Sequence, residues 1–319
     1  MPTPETIRFR AGDATLEGTL LLPEGDGRHP WAVLVQSWLP RNRDGGWDTD
    51  RYAGWFAEGE GGSCPSERLA AALAARGVAT FRWDPRGCGA SDGAWADVDL
   101  FTRIDDARDA IGALRSRPEL DLRRTGIIGH GEGATVALSV AIGDPAVGVV
   151  GLIAPAARSL RDVWRRGVAA RDRTGSDRRH PIVGALDRVS EELIERAERR
   201  EPAMVVDVAG APITLRLAAW EQSVHTPSLA LATMLHRAVV LVHGSDDAWT
   251  DADESVLLDA VLREAGNDPE LRLIPGVGHD LAGATESDIA GVADAIATRM
   301  EPRTLPPVLL AIEEMGSGG

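Results

Sequence analysis

The chain has 319 residues, 44% of them hydrophobic, and is long enough to bury a large core as one sizeable domain with an insertion, or as two small domains. Its formal net charge of −15 at pH 7 repels nucleic-acid phosphates and anionic lipid head groups, and the only basic concentration is the arginine run from Arg161 to Arg179. We therefore expect a small-molecule substrate, and neither nucleic acid nor membrane as a partner.

Short apolar runs rich in Val, Ile and Leu alternate with amphipathic helical stretches along most of the chain. This alternation predicts an α/β fold with a mostly parallel sheet. The predicted strands are Ile7–Phe9, Gly18–Leu22, Trp31–Ser37, Val78–Trp83, Thr125–Gly129, Val147–Ile153, Ala238–His243 and Leu271–Ile274. The predicted helices are Ser66–Arg76, Thr102–Ser116, Glu132–Ile142, Asp251–Ala265 and Ser287–Arg299. The first two strands, separated by Gly12-Asp13, are typical of an antiparallel hairpin.

The strand pattern stops between Ala156 and His236, where arginine-rich and acidic helical segments such as Ser190–Arg200 take over. We interpret residues 156–236 as a helical cap inserted into a core formed by residues 1–155 and 237–301. Residues 302–319 form a tail, whose apolar segment Leu305–Leu310 we expect to dock on the surface.

Two cysteines, Cys64 and Cys88, have the pattern of neither a disulfide framework nor a metal site. The N-terminus lacks the basic start and apolar run of a secretion signal, and apolar runs such as Val147–Ala157 are about half as long as a bilayer span. All 34 cationic side chains are arginine, which excludes a Schiff base on lysine. We expect a cytoplasmic protein with no transmembrane helix, metal or cofactor.

The segment Gly126–Ala134 follows a predicted strand and leads into a predicted helix. Within it, Gly129–Gly133 has the frame glycine, any residue, nucleophile, any residue, glycine, which is typical of a nucleophile elbow. Enzymes with this turn attack the substrate with a serine oxygen, but the nucleophile position here is Gly131, which has no side chain. A covalent acyl-enzyme at this position is therefore impossible.

Four further motifs accompany this frame along the chain: Pro40–Gly45, Trp83–Gly93, His243–Asp247 and Pro275–His279. By their order and spacing the chain resembles the α/β-hydrolase family, in particular bacterial esterases and the dienelactone-hydrolase-like or dipeptidyl-peptidase-like branches. The resemblance spans roughly residues 15–300 apart from the insertion. It implies an α/β-hydrolase fold with an inserted cap, and the hydrolysis of carboxylic esters or thioesters.

The family order of nucleophile, acid and histidine falls on positions 131, 247 and 279. By resemblance, Asp247 is the acid and His279 the base. Asp246 is the alternative acid. Asp247 also suits the N-terminal cap of the helix that follows it, and His279 could be a surface loop histidine beside Asp280.

The resemblance also implies an oxyanion hole formed by the backbone N–H groups of Trp38 and Glu132. Related esterases have small, glycine-rich residues where this chain has Gln36–Leu39, so we expect a narrowed or reshaped pocket. Other tryptophans could either line that pocket or pack in the interior. They are Trp47, Trp55, Trp95, Trp164, Trp220 and Trp249.

Two other candidate nucleophiles are rejected. Ser91 satisfies the same five-residue pattern in Gly89–Gly93, but no helix opens at it, which indicates a structural loop. Cys88 has no histidine near it in sequence. His130, next to the elbow position, is assigned to packing.

Three hypotheses survive the loss of the serine. His279 with Asp247 could act as a general base on water, in direct hydrolysis or in a noncovalent lyase, isomerase or cyclase reaction. The fold could be a catalytically silent binding scaffold. Gly131 could also be a replacement of the serine of an active esterase. Nucleotide binding is disfavoured, because the glycine spacing is wrong and Glu132 would repel phosphate.

Overall fold

The computed structural model describes residues 2–57, 62–174 and 180–316. The end of the arginine run, residues 175–179, and the last three residues of the tail, 317–319, lie outside the described residues. In the described part of the chain, no helix has both the length and the apolar character needed to cross a membrane.

The described strands and helices alternate through most of the chain. The strands are β1 Thr3–Ala11, β2 Ala14–Leu22, β3 His29–Val35, β4 Ala79–Trp83, β5 Leu120–His130, β6 Val147–Ile153, β7 Ala203–Val208, β8 Ala211–Arg216, β9 Ala238–Gly244 and β10 Glu270–Ile274. The helices are α1 Pro65–Ala74, α2 Leu100–Leu114, α3 Gly133–Gly143, α4 Leu160–Thr174, α5 Pro181–Glu198, α6 Ala218–His225, α7 Ser228–Ala232, α8 Asp253–Glu264, α9 Glu286–Ala297 and α10 Pro307–Gly316.

Eight strands form one sheet in the order β1-β2-β4-β3-β5-β6-β9-β10. Six neighbouring strands of this sheet, β4-β3-β5-β6-β9-β10, run parallel to one another. Strand β2 is antiparallel to both β1 and β4. The predicted mostly parallel, eight-stranded sheet with an opening hairpin is therefore confirmed. All seven residues of β6 are buried, as expected of a strand covered by helices on both faces.

Helices cover the sheet on both faces. Leu73 in α1 and Ile289 in α9 pack on one face, and Leu138 in α3 and Leu258 in α8 pack on the other. The tail joins the second layer through buried residues, among them Leu305. The expected docking of the apolar tail segment is thus observed.

The insert, residues 156–236, shares a separate hydrophobic cluster with loop residues such as Trp47 and Trp95, and within it α5 packs on α6 and on β7. The prediction that strands stop here is wrong, because β7 and β8 pair as an antiparallel hairpin. Met204, Val206 and Val208 are buried on alternate positions of β7, and Gly210 has the positive φ of +83° that the tight turn requires. This short period-2 signal lies among charged residues, which concealed it.

Candidate active site

The elbow turn forms where predicted, between the end of β5 and the start of α3. Gly131 has a φ of +56°, in the left-handed region, and its N–H donates to the carbonyl of Ile153 at 2.9 Å. A Cβ added at Gly129 would lie 2.1 Å from the Gly133 carbonyl oxygen, and one added at Gly133 would lie 2.5 Å from that of Val35. The flanking glycines are therefore required by close backbone packing.

The predicted acid and base form a pair. His279 Nδ1 lies 2.8 Å from Asp247 Oδ2; the Asp247 side chain is fully buried and that of His279 is 10% exposed. The other carboxylate oxygen, Oδ1, accepts from the N–H groups of Trp249 at 2.7 Å and Thr250 at 2.9 Å. The alternative acid, Asp246, instead accepts from the neighbouring Ser245 hydroxyl.

The pair shifts both pKa values. Burial alone would raise the pKa of Asp247, but the charge of His279 and hydrogen bonds from His243 and His279 outweigh it and lower that pKa well below 3.8. Burial alone would lower the pKa of His279, but the Asp247 carboxylate outweighs it and raises that pKa above the ordinary 6.5. Asp247 is thus ionised at neutral pH and holds the His279 ring through Nδ1.

The second ring nitrogen of His279 faces the space beside the elbow. A Cβ added at Gly131 would lie 3.2 Å from His279 Nε2 and 2.7 Å from Ser37 Oγ. Across the described ranges, no residue is hydrogen-bonded to His279 Nε2. The structure therefore brings Gly131, Asp247 and His279 together in the arrangement expected from the motif order, with Ser37 as an unpredicted fourth neighbour.

The two residues of the predicted oxyanion hole line the same cavity. Trp38 and Glu132 both line the cavity that contains Gly131 and His279, and neither N–H donates to another described residue. The Glu132 carboxylate accepts from Arg103 and from the Ser223 hydroxyl.

A cavity of about 830 Å³ covers Gly131 and His279. A second cavity of about 870 Å³ adjoins it, and Trp38 lines both. The insert contributes to the walls of both cavities, through residues of α4 and α6.

The cavities are lined by indole rings. Trp164 and Trp249 line the first cavity, and Trp95 and Trp220 line the second. Trp38 stands among three of them, with its ring 4.8 Å from Trp220, 5.8 Å from Trp95 and 5.9 Å from Trp164. The loop after β3 therefore places Trp38 in an aromatic wall shared by the two cavities.

The remaining two candidate tryptophans are not among the described residues that line these cavities. Trp47 stacks on Phe56 with ring centroids 4.7 Å apart, and Trp55 packs on Tyr52 at the same separation. Both belong to the packing of the loops beside the insert.

The rejected nucleophiles are occupied or inert. The buried Ser91 hydroxyl donates to the Asp84 carbonyl at 2.6 Å and accepts from the N–H of Glu17 at 3.0 Å. Cys88 is fully buried, and burial raises the pKa of its thiol, which opposes thiolate formation. Both residues therefore have structural roles.

A second buried cluster supports His279 from behind. His130 Nε2 lies 3.1 Å from the His279 carbonyl oxygen, and burial lowers the pKa of His130 to about 3. Ligand atoms of His130, His279 and Asp280 lie close enough together to hold a metal ion. Both Asp280 oxygens already accept from the buried Arg41 guanidinium, at 2.9 and 2.8 Å. The Arg41 guanidinium thus supplies the positive charge that would otherwise come from a metal ion bound to the Asp280 carboxylate.

Comparisons with known proteins agree with this architecture. Residues 62–287, more than half of the chain, match the family model Hydrolase_4, described as serine aminopeptidase, S33. A thiohydrolase, apmlB, from Arthrinium phaeospermum is 34% identical over 89 residues, which are 28% of this chain and 29% of that protein. The sequence match thus spans less than a third of that relative's length.

Two solved structures share the fold over nearly the whole chain. Est1E from Butyrivibrio proteoclasticus with bound ferulic acid is 14% identical, with a TM-score of 0.65, and the match covers 92% of this chain and 99% of that one. The α/β hydrolase GrgF from Penicillium sp. sh18 is 18% identical, with a TM-score of 0.62 and coverages of 93% and 99%. With the sheet order and the family match, the α/β-hydrolase fold class is confirmed. The chain belongs to the Hydrolase_4 (serine aminopeptidase, S33) family of α/β-hydrolases.

Proposed function

We propose that this chain hydrolyses a carboxylic ester or thioester of a small molecule, with His279 as general base and Asp247 as its acid partner. One observation carries the proposal. The 2.8 Å bond from His279 Nδ1 to Asp247 leaves His279 Nε2 beside the elbow, 3.2 Å from the position of a side chain at Gly131. A base in that place is poised to take the proton of an attacking hydroxyl group.

The charges of the site suit acyl chemistry. As the attacking hydroxyl loses its proton to His279 Nε2, the ionised Asp247 stabilises the imidazolium that forms. Negative charge develops at the same time on the substrate's carbonyl oxygen. The N–H groups of Trp38 and Glu132 are the donors proposed to stabilise it.

The walls of the two cavities support an apolar, ring-containing substrate. Tryptophan rings offer large flat contact surfaces, and six of them, Trp83 included, line the two cavities. We propose that the insert acts as a cap that selects the substrate, because α4 and α6 contribute part of these walls. The thiohydrolase name of one relative supports a thioester, and the ferulic acid bound to Est1E supports an aromatic acyl group.

A noncovalent lyase, isomerase or cyclase reaction is the second candidate. Gly131 leaves the base without a hydroxyl group at the elbow, and a base in an apolar cavity can also remove a proton from carbon. Such a reaction would exchange substrate hydrogen for deuterium in D₂O without releasing an acid.

The test is hydrolysis of p-nitrophenyl acetate, butyrate and cinnamate and of matched acyl thioesters. We compare the wild-type chain, His279→Ala and His236→Ala, since His236 is an exposed histidine before β9. We expect activity in the wild type and in His236→Ala, and a loss of about 10³-fold or more in His279→Ala. Equal rates in all three chains would contradict the role of His279, and tight ligand binding without turnover would contradict hydrolysis and favour a binding protein.

A further inference from the structure

The loop after β3 places a hydroxyl group in the space that an elbow side chain would fill. A Cβ added at Gly131 would lie 2.7 Å from Ser37 Oγ and 3.2 Å from Ser37 Cβ. Ordinary contacts between non-bonded carbon atoms are about 3.5–4.0 Å. A side chain at position 131 would therefore displace the Ser37 hydroxyl, which in this chain borders that volume.

The same volume adjoins the catalytic face of His279. Because the added Cβ would also lie 3.2 Å from His279 Nε2, the Ser37 hydroxyl and the imidazole nitrogen border one point in the cavity. Ser37 is 7% exposed, and nothing within residues 2–57, 62–174 or 180–316 is hydrogen-bonded to its Oγ. A hydroxyl group at the cavity wall without a protein partner is free to bond with a substrate.

The residues on either side of Ser37 are held in place. The Gln36 amide donates to the Ser66 hydroxyl at 2.9 Å, and both side chains are buried. The Trp38 carbonyl accepts from the indole N–H of Trp95. A hydroxyl group on a segment fixed at both neighbours is positioned for reaction in the way that a rigid elbow positions its serine.

We propose that Ser37 is the nucleophile of this site, in place of the serine missing from the elbow. This inference rests on the proposed ester or thioester hydrolysis. Ser37 Oγ bonds to the carbonyl carbon of the substrate while its proton passes to His279 Nε2. That proton then passes to the departing alkoxide or thiolate, and an acyl group remains on Ser37. Water, losing a proton to His279, releases the acid, and the same proton restores the Ser37 hydroxyl.

The experiment is intact-protein mass spectrometry after incubation with a fluorophosphonate and with p-nitrophenyl cinnamate, followed by peptide sequencing. We expect a single adduct on Ser37 in the wild type, and no adduct and at least about a 10³-fold lower rate in Ser37→Ala. Ser37→Cys should still form an acyl adduct, because a thiol can also attack. The matched control is Ser139→Ala, because the Ser139 hydroxyl only donates to the Thr135 carbonyl within α3. This variant should form the adduct and hydrolyse the ester as the wild type does.

Each other result has one meaning. Hydrolysis that requires His279 but persists in Ser37→Ala, or an adduct on another residue, overturns the assignment of Ser37 and leaves the proposed hydrolysis standing. A loss of hydrolysis in Ser37→Ala and Ser37→Cys alike, with no adduct in the wild type, also overturns it, because Ser37 would then only position water. A wild-type chain with neither turnover nor adduct contradicts the proposed hydrolysis itself.

Discussion

Two regions of the site differ in what they share with other α/β-hydrolases: the acid–base side, formed by Asp247 and His279, and the nucleophile side, formed by the elbow at Gly131 and by Ser37. On the acid–base side, Asp247 and His279 have their side chains, their mutual hydrogen bond and their opposed pKa shifts. On the nucleophile side, Gly131 keeps the positive φ and the glycine frame, but the hydroxyl group in reach comes from Ser37. The elbow turn is fixed by the backbone contacts of Gly129 and Gly133. A reacting oxygen, in contrast, needs only to reach the space beside His279 Nε2, whichever segment it comes from. The backbone frame and the attacking atom are therefore separable.

The largest predicted effect falls on the acid–base side, in Asp247→Asn. An amide cannot stabilise the imidazolium and holds the wrong tautomer of His279, so we expect kcat to fall by about 10⁴-fold. The measurement is steady-state hydrolysis of the best ester found above. Asp246→Asn is the matched control, because Asp246 bonds to Ser245 and should leave the rate unchanged. Equal losses in the two variants would mean that Asp247 is not the specific partner of His279.

The second prediction concerns the ion pair that ties the two sides together. Arg41, in the loop after β3, and Asp280, next to His279, form a buried pair with side chains 2% and 15% exposed. Arg41→Met leaves a buried carboxylate without its partner, so we expect the free energy of unfolding to fall by about 3–5 kcal/mol. Urea denaturation measures the loss.

Two further variants make that result specific. Adding Asp280→Asn to Arg41→Met should recover much of the lost stability, since the unpaired charge is then removed. Arg165→Met, which breaks the half-exposed pair with Glu191, should cost less than about 1 kcal/mol. A similar small loss in Arg41→Met would show that the buried pair does not hold the two loops together.

Sequence patterns predicted the sheet, because the periodicity of a strand is visible within its own short segment. They also predicted the positions of Asp247 and His279, because the order of the motifs along the chain follows that of the family. The contact of Ser37 with the elbow and the pair of Arg41 with Asp280 were not predicted. The latter joins residues 239 positions apart, and such contacts exist only once the strands are ordered in the sheet. The β7–β8 hairpin was missed for a different reason: its alternation is short, and the exposed position 205 holds the apolar Val205, which blurs the pattern in sequence.

The third prediction asks whether the elbow can regain its serine. In Gly131→Ser, the new Cβ would lie 2.7 Å from Ser37 Oγ, so we expect no gain in ester hydrolysis over the wild type. The double variant Ser37→Gly with Gly131→Ser frees that volume and should exceed Ser37→Gly alone by about 10²-fold or more, because misplacement of a reacting group costs about that much. If Gly131→Ser alone gains several orders of magnitude, the glycine is a simple replacement in an ordinary esterase.

The fourth prediction concerns the pH dependence of kcat/KM, which should change tenfold per pH unit below the pKa of His279. His279 must be unprotonated to act as a base, and the Asp247 carboxylate raises its pKa above 6.5 in spite of burial. The value of kcat/KM should therefore fall as pH decreases through that raised pKa, with the midpoint of the acid limb above 6.5. In Asp247→Asn the residual activity should have its midpoint at lower pH, because burial then acts on His279 without the opposing carboxylate.

Profiles of kcat/KM for the two chains, measured on one ester whose leaving group is monitored at a pH-independent wavelength, test both shifts. An acid limb with the same midpoint in both chains would assign the titration to another group and would separate Asp247 from the basicity of His279.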